Sequence, residues 1–208
     1  MTDDRSKMPY EEAITEGAKA VNNTVDLVRE GGRAVGPAIG NIYGLLIGDS
    51  IAAARQRRLD AITRKTEKIL RDRNINERVE APESIAIPLL EAAQGEPREE
   101  MQELWARLLA NALDPGRAHD VRPEFIETLK KLHPLDAAIL QRTNNEEEGS
   151  IGDFDTAGAL GVRVSAVRAS FNFLYEIKCG EKFSGSHPNG ASFGLSPFGQ
   201  EFMIALNP

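Results

Sequence analysis

The residue types that most often carry catalysis or metal binding are few in this sequence, and they do not cluster. His119, His133 and His187 lie in three separate predicted loops, without the spacing that metal ligands share. Cys179 ends an apolar helical pattern and is predicted to be a buried structural thiol rather than a nucleophile. The sequence holds neither a Gly-x-x-x-x-Gly-Lys-Ser/Thr phosphate loop nor a His-Glu-x-x-His zinc motif. We therefore predict no catalytic residue set, no metal site and no cofactor.

Acidic pairs and one Arg–His pair leave a hydrolase as an alternative. Some ribonuclease toxins use an Arg and a His a few residues apart on one helix, whereas Arg117 and His119 lie too close together, in a predicted loop. The acidic pairs are interpreted as turn and capping groups; they are Asp114 with Asp120 and Asp153 with Asp155. An unrecognised nuclease or hydrolase, built from acidic residues of distant segments, stays open.

The composition is that of a folded, acidic protein with one large domain or two small ones. The chain has 208 residues and a net charge of −7, which argues against attraction of the whole molecule to DNA or to anionic lipid. The polar, acidic N-terminus does not resemble a secretory signal, and a single cysteine excludes an internal disulfide framework. We expect a cytoplasmic protein, with the periphery of the inner membrane as the alternative location.

A ladder of glycines is the strongest candidate for a contact site. Its glycines recur every fourth residue beside an apolar stripe at helical spacing; they are Gly32, Gly36, Gly40, Gly44 and Gly48. Small residues four apart make a groove in which another helix backbone can lie close. The uncharged run at residues 34–48 would span about 22 Å as a helix, whereas the core of a bilayer is ~30 Å thick. Packing in a homo-oligomer or against a protein partner is our first prediction, and contact with a membrane surface is our second.

The segment after the ladder is predicted to be a basic helix over residues 55–73. Its charge balance is +5, and the cations predicted to meet an anionic surface are Arg55, Arg57, Arg58, Arg64 and Lys65. The alternative is an ordinary solvated face, with ion pairs such as Asp60 with Arg64 on one helix. Residues 77–104 contain eight Glu against two Arg, so neutralisation within the chain or between subunits is a further interpretation.

Helical periodicity dominates the chain, which predicts a mainly α fold. The predicted segments are a disordered tail at 1–9, a helical domain at 10–143 with a glycine-rich helix at 32–54 and a core helix around Trp105 at 97–113, and a winged-helix-like domain at 150–208. Pro88 is expected to prevent a long regular helix over residues 84–93. A polar, acidic loop at residues 144–150 is predicted to separate the two domains.

The segment at residues 150–208 has the element order of a winged-helix module with a two-stranded wing. Residues 151–160 are predicted to be a short strand or a helix start, residues 165–178 a helix that Gly180 ends, and residues 183–195 two strands around an Asn-Gly turn. Ser196 is expected to cap the last helix. The side chains predicted to reach nucleic acid are Arg163, Arg168, Asn172, Lys178 and Lys182. Because Glu176 and Glu181 lie among these cations, a structural or protein-binding role is favoured over DNA binding.

Three stretches resemble a known family. The sequence LWARLLANALDP at residues 104–115 follows IPLLEAA at residues 87–93, and the tail at residues 195–202 has the sequence LSPFGQEF. They resemble the core and the Ser-Pro-x-Gly ending of the abortive infection alpha (Abi-alpha) family, and the resemblance covers roughly residues 30–206. It implies a bacterial or phage-linked protein of phage resistance, and it brings no catalytic residues.

These observations together predict a non-enzymatic phage-defence protein that acts through helix-mediated association, with conditional membrane engagement as a further step. One alternative is a DNA-binding regulator that uses the winged helix. The second alternative is the unrecognised nuclease or hydrolase.

Overall fold

The chain folds mainly as α-helices packed around one buried helix. The computed structural model describes residues 52–182 and 190–207, so the predicted tail at 1–9, the glycine ladder and the predicted turn within 183–189 lie outside the described residues. The helices are α1 Ala52–Asp72, α2 Glu83–Gly95, α3 Glu99–Leu113, α4 Pro123–Lys131, α5 Pro134–Asn144, α6 Asp153–Leu160, α7 Val164–Glu176 and α8 Pro197–Leu206, with a short 3₁₀ turn at Ala118–Asp120. The strands are β1 Ser150–Gly152, β2 Gly180–Glu181 and β3 Ser192–Leu195. The prediction of a mainly α fold is confirmed.

Helix α3 is the centre of the fold and contacts α1, α2, α5 and α8. Eleven of its fifteen residues are buried, and Trp105 is 1% exposed, as the apolar stripe predicted. The helix begins at Glu99, two residues after the predicted start, because Arg98 has an extended backbone. The guanidinium of Arg98 donates two hydrogen bonds of 2.7 Å to the carboxylate of Glu96 and holds this entry in place.

Helix α2 passes through Pro88 without a break, so the expectation that this proline would prevent a regular helix is wrong. A proline in a helix interior removes one hydrogen bond and costs about 3 kcal/mol. The large side chains of Ile85, Leu89 and Leu90 are buried on the same helix, and each such burial stabilises by about 1.5–3 kcal/mol. Packing on the core therefore outweighs the lost hydrogen bond.

Helix α1 packs against α2 and α3 with one of its faces. Its buried residues recur every three or four positions; they are Leu59, Ile62, Thr66 and Leu70. The hydroxyl of Thr66 lies 2.9 Å from the carbonyl oxygen of Ile62 and 3.2 Å from that of Ala106, so this polar group also has partners. The phase of the buried stripe decides which cations of α1 face outward.

A three-stranded antiparallel sheet of order β1-β3-β2 lies in the C-terminal part. Ile151 of β1 faces Phe193 of β3, and Gly180 of β2 faces Leu195. The predicted two-stranded wing therefore pairs with a third strand, β1. The first of the two wing strands, β2, begins at Gly180, before the predicted range of 183–195. A Cβ atom at Gly180 would lie 2.0 Å from the ring of Phe193, so β2 requires a glycine here.

The turn after α7 differs from its prediction. Helix α7 ends at Glu176, and the residue in the left-handed conformation is Lys178, with φ of 64°. Gly180 was expected to end the helix but belongs to β2. At the C-terminal end of α6, Gly161 takes the left-handed conformation with φ of 64°, which is common for a glycine that follows a helix.

The tail sequence Ser-Pro-x-Gly fixes α8 on the turn that follows α7. Ser196 caps α8 as predicted, because its Oγ accepts a hydrogen bond of 3.0 Å from the Gly199 N–H. The same hydroxyl donates to the carbonyl of Lys178 at 2.5 Å, and the Ser196 N–H donates to the carbonyl of Cys179 at 3.2 Å. The carbonyl oxygen of Cys179 would lie 1.9 Å from a Cβ atom at Gly199.

The hydrophobic core continues past the loop at residues 144–150. Helix α8 packs on both α3 and α5, and the ring of Phe125 in α4 lies 5.4 Å from that of Phe198 and 5.6 Å from that of Phe202. The two predicted parts therefore share apolar contacts, and the domain boundary between them stays a prediction.

Candidate functional site on the outward face of helix α1

The outward face of α1 carries a row of exposed cations, which we call the basic face: Arg57, Arg64, Lys68 and Arg71. They recur at i, i+7, i+11 and i+14, on the side of the helix opposite the buried stripe. The row is about 21 Å long at the rise of an α-helix. None of its members forms an ion pair or a hydrogen bond with another residue in the part of the chain that the structure describes. Within the described residues, the charges of the basic face are therefore not neutralised by a neighbouring carboxylate.

The five cations predicted for this contact are divided between two sides of α1. Arg57 and Arg64 are exposed, whereas Arg55, Arg58 and Lys65 are partly buried. The guanidinium of Arg58 lies 3.4 Å from the carbonyl oxygen of Gln94 in α2. Arg55 also has an interaction partner. The structure therefore brings only two of the predicted five residues to the outward face.

Lys68 and Arg71 complete the basic face and were missed by the sequence prediction. The signal that could have found them is the phase of the apolar residues: Leu59 and Ile62 place positions 57, 64, 68 and 71 on the opposite side of a helix with 3.6 residues per turn. The sequence prediction instead assigns the anionic-surface contact to the cations nearest the start of the basic segment. Charge density along the chain does not show which face a charge occupies.

Lys65, an inward-facing cation of α1, meets carboxylates of a neighbouring helix, as the interpretation of neutralisation within the chain expects. Lys65 Nζ lies 3.9 Å from a carboxylate oxygen of Glu99 and 3.8 Å from one of Glu103 in α3. Glu67 accepts two hydrogen bonds of 2.7 and 2.9 Å from Arg78. These pairs engage Lys65 and Glu67 of α1, and they include no cation of the basic face.

The residues predicted to reach nucleic acid lie around α7 and the turn after it. Arg163, Arg168 and Asn172 are exposed on the N-cap and the helix, whereas Lys178 and Lys182 are exposed beyond its end. Arg168 Nε donates a 2.5 Å hydrogen bond to the carboxylate of Asp153, and its guanidinium lies 5.5 Å from the ring centroid of Phe154. Its charge is thus already balanced by a neighbouring carboxylate.

Asp153 connects α6, α7 and the start of β3. Its carboxylate is buried and also accepts the N–H of Phe154 at 2.9 Å. Burial raises the pKa of Asp153, but hydrogen bonds from Arg168 and from the backbone of Ala191 and Phe154 outweigh it, so the pKa lies below its usual value. A Cβ atom at Gly190 would lie 2.1 Å from this carboxylate, so the chain passes close to it. This arrangement supports the fold of the C-terminal part.

The residue types with chemical potential are separated in the described residues. Cys179 is fully buried, as predicted, and burial raises the pKa of its thiol to about 12. His119 is exposed and lies 3.2 Å from Asp120, while His133 caps α5 together with Asp136. Within residues 52–182 and 190–207, no three His, Cys, Asp or Glu side chains are placed to hold a metal ion.

A buried amide in the LWARLLANALDP stretch joins the two ends of the described fold. Asn111 Oδ1 accepts a 2.7 Å hydrogen bond from Arg73, and its Nδ2 donates a 2.7 Å hydrogen bond to the carbonyl of Ala205. Arg73 and Arg117 donate to the carbonyl of Asn207 at 3.1 and 3.0 Å. Cations at the C-terminal end of α8 also suit the negative end of its dipole. Asn111 was not predicted to have any such role, because an Asn within an apolar stripe has no distinct sequence signal.

Among the residues that the structure describes, no helix combines the length and the apolar character needed to cross a bilayer.

Comparison with known proteins supports the family that the sequence motifs resemble. The model of the family described as abortive infection alpha matches residues 54–203, from the first turn of α1 into α8. No curated protein and no solved structure matches the chain. The match covers the LWARLLANALDP stretch, the Ser-Pro-x-Gly tail and the basic face. The chain therefore belongs to the abortive infection alpha family.

Proposed function

We propose that this protein is a non-enzymatic phage-defence protein that acts by association, with the glycine ladder and the basic face of α1 as its contact surfaces. Family membership implies a role in abortive infection in general. The mode of action, which is helix-mediated association, is our proposal.

The observation that carries the proposal is the division of α1 into two faces. One face is buried against α2 and α3 through Leu59, Ile62, Thr66 and Leu70. The other face presents four exposed cations without partners in the described residues. Lys and Arg side chains are usually solvated, but four of them in one row, with no carboxylate of the described residues paired to any, concentrate positive potential along one side of α1. Such a surface favours and orients an anionic partner.

The charge of α1 contrasts with that of the remaining chain. Helix α1 contains seven Arg and Lys against three Asp and Glu, a balance of +4. The whole chain has −7, so the remaining residues carry −7 − 4 = −11. A molecule of this kind is electrically polarised, and association that places α1 against negative charge is favoured in orientation and in rate.

The glycine ladder provides the second surface of the proposal. The ladder ends at Gly48, four residues before α1 begins at Ala52. Any helix that the ladder forms would therefore lie close in sequence to the basic face. A groove of glycines allows close helix packing. The uncharged run of 15 residues is shorter than the ~20 needed for a simple transmembrane helix. We therefore place association first and membrane engagement, after a trigger, second.

The test of this proposal is a graded series in the ladder of the full chain. Gly40→Leu with Gly44→Leu should abolish association and phage protection, because leucine fills the groove. Gly40→Ala with Gly44→Ala should retain both, because alanine is still small. Gly158→Leu is the matched control, since this exposed helical glycine has no atom within 4 Å of an added Cβ. Unchanged oligomeric mass and unchanged protection in the leucine variant would refute the proposal.

A DNA-binding regulator is the second candidate, and the sheet topology favours it. Helices α6 and α7, followed by the β2-β3 pair and joined by β1, have the order expected of a winged-helix module. The ion pair of Arg168 with Asp153 reduces the charge available to phosphates. A fluorescence titration with duplex DNA at low salt tests this candidate. It requires binding that weakens with salt and with Lys182→Ala, and an absence of binding excludes it.

A further inference from the structure

We propose that the basic face of α1 docks on an acidic row of α2 in a second copy of this chain, an inference that rests on the association proposed above. The acidic row is Glu83, Ile87 and Glu91, which lie at i, i+4 and i+8 on α2. It combines two carboxylates with an apolar residue between them. The occupant of the basic face is therefore another molecule of the same protein.

The acidic row is placed outward by the packing of α2. The helix buries its opposite side through residues such as Ile85, Leu89 and Ala93. Glu83 and Glu91 are exposed, and Ile87 between them is partly exposed. Neither carboxylate forms an ion pair or a hydrogen bond with another described residue. Among the described residues, the two carboxylates of the row are thus as unpaired as the cations of the basic face, and they carry the opposite charge.

The spacing of the two rows is compatible with direct contact. Eight residues separate Glu83 from Glu91, which is about 12 Å along a helix axis. Seven residues separate Arg57 from Arg64, which is about 10.5 Å. The difference of about 1.5 Å is within the reach of a flexible arginine side chain. Ala61 lies between the two arginines, so the helices can approach closely where Ile87 would meet it.

Charge complementarity favours a second copy over a flat anionic surface. Residues 77–100 carry seven Glu against two Arg, so the chain itself contains the negative charge that complements the basic face. A second copy supplies carboxylates to the basic face and receives cations on its own row. With two-fold symmetry each contact occurs twice, because the same two surfaces meet in both directions.

Charge reversal in the full chain provides the test, with mass measured by sedimentation equilibrium and folding checked by thermal unfolding. One variant carries Arg57→Glu and Arg64→Glu, and the other carries Glu83→Lys and Glu91→Lys. Lys130→Glu with Lys131→Glu is the matched control, because it makes the same charge change on exposed residues of α4. Association is measured at about 0.1 M and at about 1 M salt, because this increase in salt shortens the electrostatic screening length from ~10 Å to ~3 Å.

The expected pattern is reciprocal. Each charge-reversal variant alone should dimerise at least about tenfold more weakly than wild type, because like charges then face each other. An equimolar mixture of the two should return to within about threefold of wild type, because opposite charges are restored in both contacts. The control should dimerise as wild type does, and high salt should weaken the wild-type dimer.

Several outcomes would overturn the docking. The wild type could be monomeric, either charge-reversal variant could associate as wild type does, or the mixture could fail to regain wild-type association. A fourth outcome is that the basic face binds anionic phosphatidylserine vesicles while its charge reversal leaves self-association unchanged. If the leucine ladder variant abolishes association but the charge variants do not, the proposed function stands and the docking fails. If the mixture recovers but the leucine variant retains association and phage protection, the docking stands and the proposed function fails.

Discussion

The substitution Gly199→Ala tests how closely α8 rests on the turn after α7. An added Cβ atom would lie 1.9 Å from the carbonyl oxygen of Cys179 and 2.9 Å from its carbonyl carbon. Both atoms belong to the backbone, and the same carbonyl accepts the Ser196 N–H. The clash cannot be relieved by rotating a side chain, so α8 or the turn has to move.

The expected cost of this change is about 2–3 kcal/mol. Overpacking in a well-packed site costs typically about 1–3 kcal/mol, and occasionally more; a backbone obstacle places Gly199 at the upper end of that range. The higher helix propensity of alanine relative to glycine offsets up to about 1 kcal/mol of this steric cost. For a chain of this size, 1 kcal/mol corresponds to about 2–4 °C in Tm, so the loss should lower Tm by about 4–12 °C.

Differential scanning calorimetry of the full chain measures this loss, with Gly158→Ala as the matched control. Gly158 lies in α6, and an added Cβ would meet no atom within 4 Å. The control should therefore be stabilised by about 0.5–1 kcal/mol, from the helix preference of alanine alone. If Gly199→Ala has a Tm within about 2 °C of wild type, the steric reasoning is refuted.

Three further predictions concern buried polar groups. Asn111→Ala should lower the free energy of unfolding in urea by about 2–4 kcal/mol, because it removes the buried hydrogen bonds to Arg73 and to the Ala205 carbonyl. A loss below about 1 kcal/mol would contradict this role. Cys179, whose pKa is raised to about 12, should resist a disulfide reagent at neutral pH until the protein is unfolded. Its contribution to the free energy of unfolding should decline above the unfolded pKa of about 8.5, because the thiol then ionises more readily in the unfolded chain. Rapid labelling of the native chain would contradict the first expectation. The pKa of Asp153 is lowered, so its contribution to the free energy of unfolding is present above the usual pKa of 3.8 and is lost as pH falls through the folded pKa. The stability difference between wild type and Asp153→Asn should therefore shrink in acid. A difference that stays constant with pH would contradict this.

The helices were largely predictable because their signals are local. The apolar stripe around Trp105 and the capping Ser196 each act within a few residues, and the structure places both as expected. Pro88 was misjudged because its local cost is opposed by burial against elements distant in sequence. Residues 151–160 were predicted as a short strand or a helix start, because three strand residues carry too little periodicity to decide between the two. The pairing of β1 with β3 was not predicted, because it is a contact across about forty residues.

The candidate site was predictable in charge but not in geometry. The sequence indicates that α1 is basic, yet Lys65 turns toward Glu103 while Lys68 faces outward. That difference depends on which neighbours cover each side of the helix. The same reason applies to Arg168, whose partner Asp153 lies fifteen residues away on another helix.

The Asn111 network has a consequence for the time course of folding during synthesis. The hydrogen bond from Arg73 to the Asn207 carbonyl joins residues 134 positions apart. At translation rates of about 5–20 residues per second, roughly 7–27 s pass between the synthesis of these two residues. During that interval Arg73, which follows α1, and the buried amide of Asn111 in α3 lack their partners at the end of α8. Native closure at this point waits until α8 has left the ribosome, so a partner that recognises the finished arrangement binds only chains in which α8 has already been made.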